Sequence, residues 1–476
     1  MSMLPSSFQS IIVPDVDTLD IKSEVLDPIT ITDNLVVFQL PKTGTLDAGS
    51  MIQLGGVLTD ASQEGSVFYP IDTGINSFIQ SATLKIGNKV LTQTQDHAHL
   101  STMMRKFKTP DERAFKDMPR QGTCGDRFGV NSDARIVYRD MEVDSSGNLT
   151  VPEYIKPTAS DSTTPVFSIM LSELFSAFKN QQIPLFAIKD NVYIEIVLNT
   201  QYDNIGDIGK ICCVDDSLSA SGAQVNISKP NVKFLYDGLY YSDVKSNATM
   251  EQALSPKGLT YLYEDVLETF ASIPAGVANQ PQLIEREIAL SGKSVRSILV
   301  SDKPTDDYTV LQGIYVSRDQ VKPSTVNLRI NDQRMYDRGL TSAPRKYDEL
   351  SFAVGQPLQV PSQLYSYDVD TDSTGTVNQN SFFVGVIEGH SLVAVNNDGI
   401  LQGSDIRATS HYNGFDLTKG SLNTFDNSTV VGVKPILFEK TYDRGQDADN
   451  QNRELRIFSS VLKTLTIRDG VAMVSA

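Results

Sequence analysis

The sequence predicts an all-β fold built from two tandem domains. Three observations carry that prediction. Val192, Ile194, Ile196 and Leu198 alternate without a break, as a strand with one face in a core does. Shorter runs of the same kind recur along both halves of the 476 residues, separated by loops rich in Gly, Pro and Asn. Thr83-Leu84-Lys85-Ile86-Gly87-Asn88 is echoed by Asn327-Leu328-Arg329-Ile330-Asn331-Asp332, an offset of 244 residues (83 to 327), about half the chain. Single β domains run to about 200–250 residues, so two fit this length.

Residues 1–27 are polar and acidic, with Asp15, Asp17, Asp20, Glu24 and Asp27, and read as an N-terminal arm with little structure of its own. The first domain is assigned to 28–241. Its strands begin in ITITDNLVVFQL and continue at 51–58, where Gly55-Gly56 suits a bulge. A hairpin follows over 78–91 with Gly87-Asn88 as its turn, then a helix over 97–107. Residues 108–165 form a long, turn-rich loop in which only 134–143 resembles a strand. Phe167, Ile169 and Leu171 alternate, and SELFSAFK then places Leu174, Phe175 and Phe178 at helical spacing, with Ser172 positioned to cap the turn. Pro184 stops that helix. After the strand 192–198 and a loop over 201–225, residues 232–241 close the domain.

Residues 242–258 are assigned as a linker with one helix-prone segment, ATMEQAL. The second domain is assigned to 259–476. Strands are expected at 259–263, 284–290, 295–300, 382–387, 430–442, 455–458, 462–467 and 471–475, with long loops over 337–380 and 396–430.

Composition narrows the function. A net charge of -17 argues against gripping nucleic acid over a broad face, which needs clustered Lys and Arg. No apolar run approaches the length of a membrane helix, and no secretory signal is expected. Cys124, Cys212 and Cys213 imply no disulfide framework, so reduced thiols in a cytosolic or nuclear space are expected. The sequons at Asn148, Asn226, Asn247 and Asn427 are then chance matches.

Enzyme chemistry finds no support. There is no phosphate-binding loop and no HExxH motif. Gly389-His390-Ser391-Leu392-Val393 starts like a nucleophile elbow but lacks the closing Gly that a sharp turn at Ser391 requires. His97 and His99 would share a face on a strand, but no third ligand lies nearby, and a polar segment at a helix start is the simpler reading. Asp368, Asp370 and Asp372 resemble a calcium loop, yet Ser373 and Gln379 stand where Gly and Glu are needed. No residue is therefore assigned to catalysis, to a cofactor or to a metal.

The central stretch also carries a resemblance. Leu171 with SELFSAFK, then Ile183-Pro184-Leu185, then 192–198 is similar to the first jelly roll of the double jelly-roll major capsid proteins. That lineage spans virophages, polinton-like viruses and large DNA viruses, and more distantly adenovirus hexon. Residues 455–476 resemble the closing strands of its second roll. The resemblance implies two tandem eight-stranded jelly rolls with short helices in their loops. It implies a capsid protein of the virion, assembled in the host cytoplasm or nucleus. Three copies would form a pseudo-hexagonal capsomer tiling an icosahedral shell around double-stranded DNA. Its partners would be other copies of itself and penton and minor capsid proteins, and the loops 108–165 and 337–380 would form an outer tower. A two-domain β-sandwich binding or adhesion protein is the alternative.

Overall fold

The structure is a computed structural model. It describes residues 20–54, 73–108, 167–199, 232–304, 325–354, 412–418, 429–443 and 452–475, less 33, 179–181, 278–279 and 433, together with short pieces at 57–58, 67–68, 112, 116–121, 128–130, 136–138, 213–214 and 225–226.

Eight strands make up the framework of the first half: β1 (Asp20–Leu26), β2 (Leu35–Gln39, against whose edge the short segment Thr30–Ile31 pairs as a hairpin), β3 (Thr45–Leu46 and Met51–Leu54), β4 (Ile79–Ile86), β5 (Lys89–Thr94), β6 (Phe167–Met170 and Ile183–Pro184), β7 (Val192–Leu198) and β8 (Lys233–Tyr240). They pair antiparallel into two sheets, ordered β1-β8-β3-β6 and β2-β7-β4-β5. The second half supplies β9 (Leu259–Ile273), β10 (Pro281–Ile288), β11 (Ser294–Pro304), β12 (Thr325–Ile330), β13 (Gln333–Arg334), β14 (Tyr412–Asp416 and Thr429–Val430), β15 (Ile436–Asp443) and β16 (Arg453–Arg468). Their order is β9-β16-β11-β14 and β10-β15-β12-β13. Every strand number is the first-half number plus eight. The chain is thus two tandem jelly rolls with one topology, and β17 (Val471–Ser475) adds to the edge of β16. The sequence echo falls on equivalent structure, on β4 and its turn and on β12 and its turn. Gly87 takes the left-handed conformation in the first turn (φ 60), and Asn331 and Asp332 take it in the second (φ 51 and 66).

Each roll buries the inner faces of its two sheets. In β7 every second residue from Val192 to Leu198 is buried, as alternation requires. Val36, Phe38, Leu84, Ile194, Ile196 and Phe234 pack in the first core; Ile298, Val300, Leu328, Phe415, Phe438 and Ile457 pack in the second. Three longer helices decorate the rolls: α1 (His97–Lys106), α2 (Asp243–Leu254) and α3 (Ala343–Val354).

Several expectations are corrected. Residues 20–26, read as part of an arm, are β1, because their backbone pairs with the edge of β8. The cap before Leu171–Leu174 is not Ser172; the Glu173 carboxylate accepts from the Met170 amide at 3.2 Å instead. Residues 455–467 are one strand, not two, because Ser459 and Ser460 are buried between apolar neighbours. The loop over 337–380 contains α3, and the loop over 396–430 contains Tyr412–Asp416. The expected strand at 382–387, Ser391, the Asp368–Asp372 loop, Cys124, Cys212, Asn148 and Asn427 lie outside the described residues. Among the described residues no helix is long and apolar enough to cross a membrane.

Candidate functional site: the seam between the rolls

The longest ladder among the described residues organises this region. β9 and β16 pair over fifteen consecutive positions, from Leu259–Ile467 to Ile273–Arg453. Residues opposite one another in an antiparallel ladder share a face. One face therefore carries Leu259, Tyr263, Leu465 and Ile467 at one end and Ile273, Leu455 and Ile457 at the other. The first set belongs to the core of the first roll and the second set to the core of the second roll. A strand of this length spans about 50 Å, enough for one face to serve both cores.

Charge marks the crossover between them. Asp265 is 2 % exposed. Its carboxylate accepts from Thr92 Oγ1 of the first roll at 2.6 Å and from Lys463 Nζ at 2.5 Å. Tyr263 Oη donates to the Leu91 carbonyl at 2.7 Å, and burial pushes that phenol up, with Asp265 adding to the effect.

The opposite face meets helices. Phe458 and Leu299 pack with Met103 of α1 and with Leu350 and Ala353 of α3, and Phe107 meets Tyr412 edge-on at 5.9 Å. Gly414 is required here, because a Cβ would come within 2.8 Å of the Leu350 Cα. Arg456 bridges Asp96, at the start of α1, and Glu268, whose Oε1 lies 2.6 Å away. Burial opposes ionisation of Asp96, but His99 and Arg456 offset it and hold the carboxyl well below the usual range. Burial raises Glu268, reinforced by Asp96 and countered by Arg456.

His97 and His99 sit on α1 rather than on a strand. His97 Nε2 lies 2.8 Å from Asn76 Oδ1, and His99 Nδ1 lies 2.8 Å from Asp96 Oδ2. Burial lowers His97 to about 4, against the pull of Asp96. His97 thus ties α1 to its own roll and His99 closes the first turn of α1 on its cap, and no group of three metal-ligating side chains occurs among the described residues.

A second buried ionic cluster lies within the second roll. Asp302 accepts from Lys440 Nζ, Tyr442 Oη and Arg453 Nε at 2.7, 2.7 and 2.8 Å. Charges enclosed this way are tolerable only with such partners. Neither cluster was foreseen in the sequence, because its members come from strands far apart in the chain.

The seam is a packing surface with paired charges. Comparison with solved structures agrees with the fold. The chain matches a chain in the 3.5 Å cryo-EM structure of the Sputnik virophage with a TM-score of 0.60 and 13% identity, over 96% of this chain and 88% of that one. It matches the Faustovirus major capsid protein with a TM-score of 0.53 and 9% identity, over 95% and 91%. It matches the mavirus major capsid protein with a TM-score of 0.52 and 12% identity, over 100% and 95%. No family model and no curated protein matches in sequence. At these identities what is shared is the fold, the double jelly roll.

Proposed function

We propose that this protein is a major capsid protein, forming homotrimeric, pseudo-hexagonal capsomers that tile an icosahedral shell around double-stranded DNA. The carrying observation is the duplicated strand order, in a fold that covers 91% and 95% of the two major capsid proteins compared. A chain of two like rolls supplies six rolls in three copies, and six like units approximate the sixfold symmetry of a hexagonal lattice. The seam supports the reading, since it fixes one roll against the next through a shared core rather than a loose tether. The net charge of -17 suits a shell that encloses nucleic acid without gripping it.

In this reading the two units are 28–241, extended back to Asp20 by β1, and 259–476, joined through 242–258. Other copies, penton proteins and minor capsid proteins are the partners, and the virion is the location. The loops 108–165 and 337–380 lie at the outer end, where limited proteolysis of intact particles cuts first; cleavage confined to 242–258 would contradict that placement. Light scattering tests the oligomer. A trimer has three times the chain mass of 52.3 kDa, about 157 kDa. It should persist in high salt, because apolar burial is insensitive to screening. A stable monomer at micromolar concentration would overturn the capsomer.

A further inference from the structure

A cleft of about 500 Å³ opens where the first roll hands over to the second. Thr45 of β3 and Pro184 of β6, paired across their strands, line it together with Lys245 and Thr249 of α2 and Tyr261 of β9. Phe178, Phe186 and Tyr241 add aromatic surface. One polar group here is unsatisfied: Thr45 is 3 % exposed, and its hydroxyl has no hydrogen-bond partner. Buried polar groups are normally bonded, so this one points to a partner that the described residues do not supply.

The acid in the cleft is already held by donors. Asp47 accepts from the Gly49 amide at 2.9 Å and from Gln182 Nε2 at 3.1 Å, and Gln182 Oε1 accepts from Tyr241 Oη at 2.9 Å. Lys245 Nζ stands 4.3 Å from the centre of the Tyr241 ring. The cleft therefore presents aromatic surface, a buried hydroxyl and a cation. That combination suits an extended peptide segment carrying apolar side chains beside a carboxylate.

Such a segment is tethered next to it. Residues 1–19 precede β1 and contain Ile11-Ile12-Val13-Pro14-Asp15, then Asp17, with no Lys or Arg. Asp20 pairs with Tyr240, so this segment leaves β1 beside Tyr241, which lines the cleft. In the sheet β3 lies two strands from β1, about 10 Å away. Residues 14–19 can span roughly 20 Å, enough to reach it.

We propose that Ile11, Ile12 and Val13 of the chain's own N-terminal segment fill this cleft, with Asp15 brought to Lys245 and a backbone group of the segment meeting the Thr45 hydroxyl. The occupant is the same chain because a short tether fixed at the rim holds the segment at an effective concentration in the millimolar range, about what a short flexible linker gives. Docked there, the segment braces α2, the helix that joins the rolls. The inference does not depend on the capsomer reading, since it applies to a monomer and to a trimer alike.

The test is hydrogen exchange by mass spectrometry on the full chain, wild type against Ile11→Ser, Ile12→Ser and Val13→Ser combined. The three positions lie outside both cores, so global unfolding should be unchanged while the amides of α2 exchange several-fold faster. Unchanged exchange in α2 would overturn the docking. A second measurement reads proximity directly. Ile12→Cys and Thr249→Cys are placed in one chain whose Cys124, Cys212 and Cys213 are replaced by Ser, and the protein is oxidised. A disulfide within single chains is expected, at the mass of one chain in a non-reducing gel. A disulfide that joins two chains would overturn the own-chain occupant, and absence of any disulfide would overturn the docking itself.

Discussion

The ladders β1–β8 and β9–β16 occupy the same place in their rolls, yet they have different surroundings. Each joins the first strand of a roll to the last. The first runs for seven pairs and leaves β1 exposed from Asp20 to Val25; the second runs for fifteen, with one face turned to the two cores and the other covered around Phe458, while Leu262 and Phe270 near the ends of β9 stay exposed. Topology is set by each roll's own core, whereas length and composition follow from what covers the ladder. An open face accepts Asp20, Lys22 and Glu24 in water. A covered face selects Phe458 and Val461 and keeps charge only where it is paired, as Asp265 is with Lys463.

If enclosure is the difference, substitution costs should follow it. The deepest reference is β7: Ile194→Asp would bury an unpaired carboxylate at a cost of several kcal/mol, about enough to prevent folding, and soluble, cooperatively folded variant would refute the register. In the covered ladder, Phe458→Ala should cost about 3–5 kcal/mol by chemical denaturation, the range for truncating a packed aromatic. Acid should act through α1. His97 is neutral in the folded chain down to about pH 4, while the unfolded chain takes up a proton near 6.5. Its contribution is therefore complete above pH 6.5 and lost as pH falls towards 4, about 3 kcal/mol in all. His97→Gln should flatten that part of the stability–pH curve, and an unaltered slope would remove His97 as its source. Asp265→Ala should cost about 2–3 kcal/mol, since Lys463 and Thr92 lose their acceptor and Lys463 retains some water. On the open ladder, Val25→Ala should change folding by less than about 0.5 kcal/mol. A cost comparable to that of Phe458→Ala would mean that β1 is covered within its own chain and would erase the contrast.

The same contrast governs what was legible in the sequence. β7 was legible because one face is buried and the other is not, so Val192, Ile194, Ile196 and Leu198 stand out. The segment Tyr412–Asp416 was not, because all five residues are buried and Gly414 is set by the backbone of α3, which leaves no alternation to read. β16 was split at Ser459-Ser460 for the same reason. β1 was hidden by its acids: its strand state comes from backbone pairing with β8, which side-chain pattern does not encode. The echo of β4 in β12 was legible because both hairpins need left-handed turn residues. The seam was not, because Asp96, Asp265, Arg456 and Lys463 converge only after two rolls have formed.

In the proposed capsomer one roll, made twice and joined through the β9–β16 ladder, is the unit of a six-roll ring. Electron microscopy of the purified protein tests this most directly. Class averages viewed down the ring axis should show six lobes in a hexagonal outline about a threefold axis. Isolated two-lobed particles, or open chains of rolls that do not close, would contradict it.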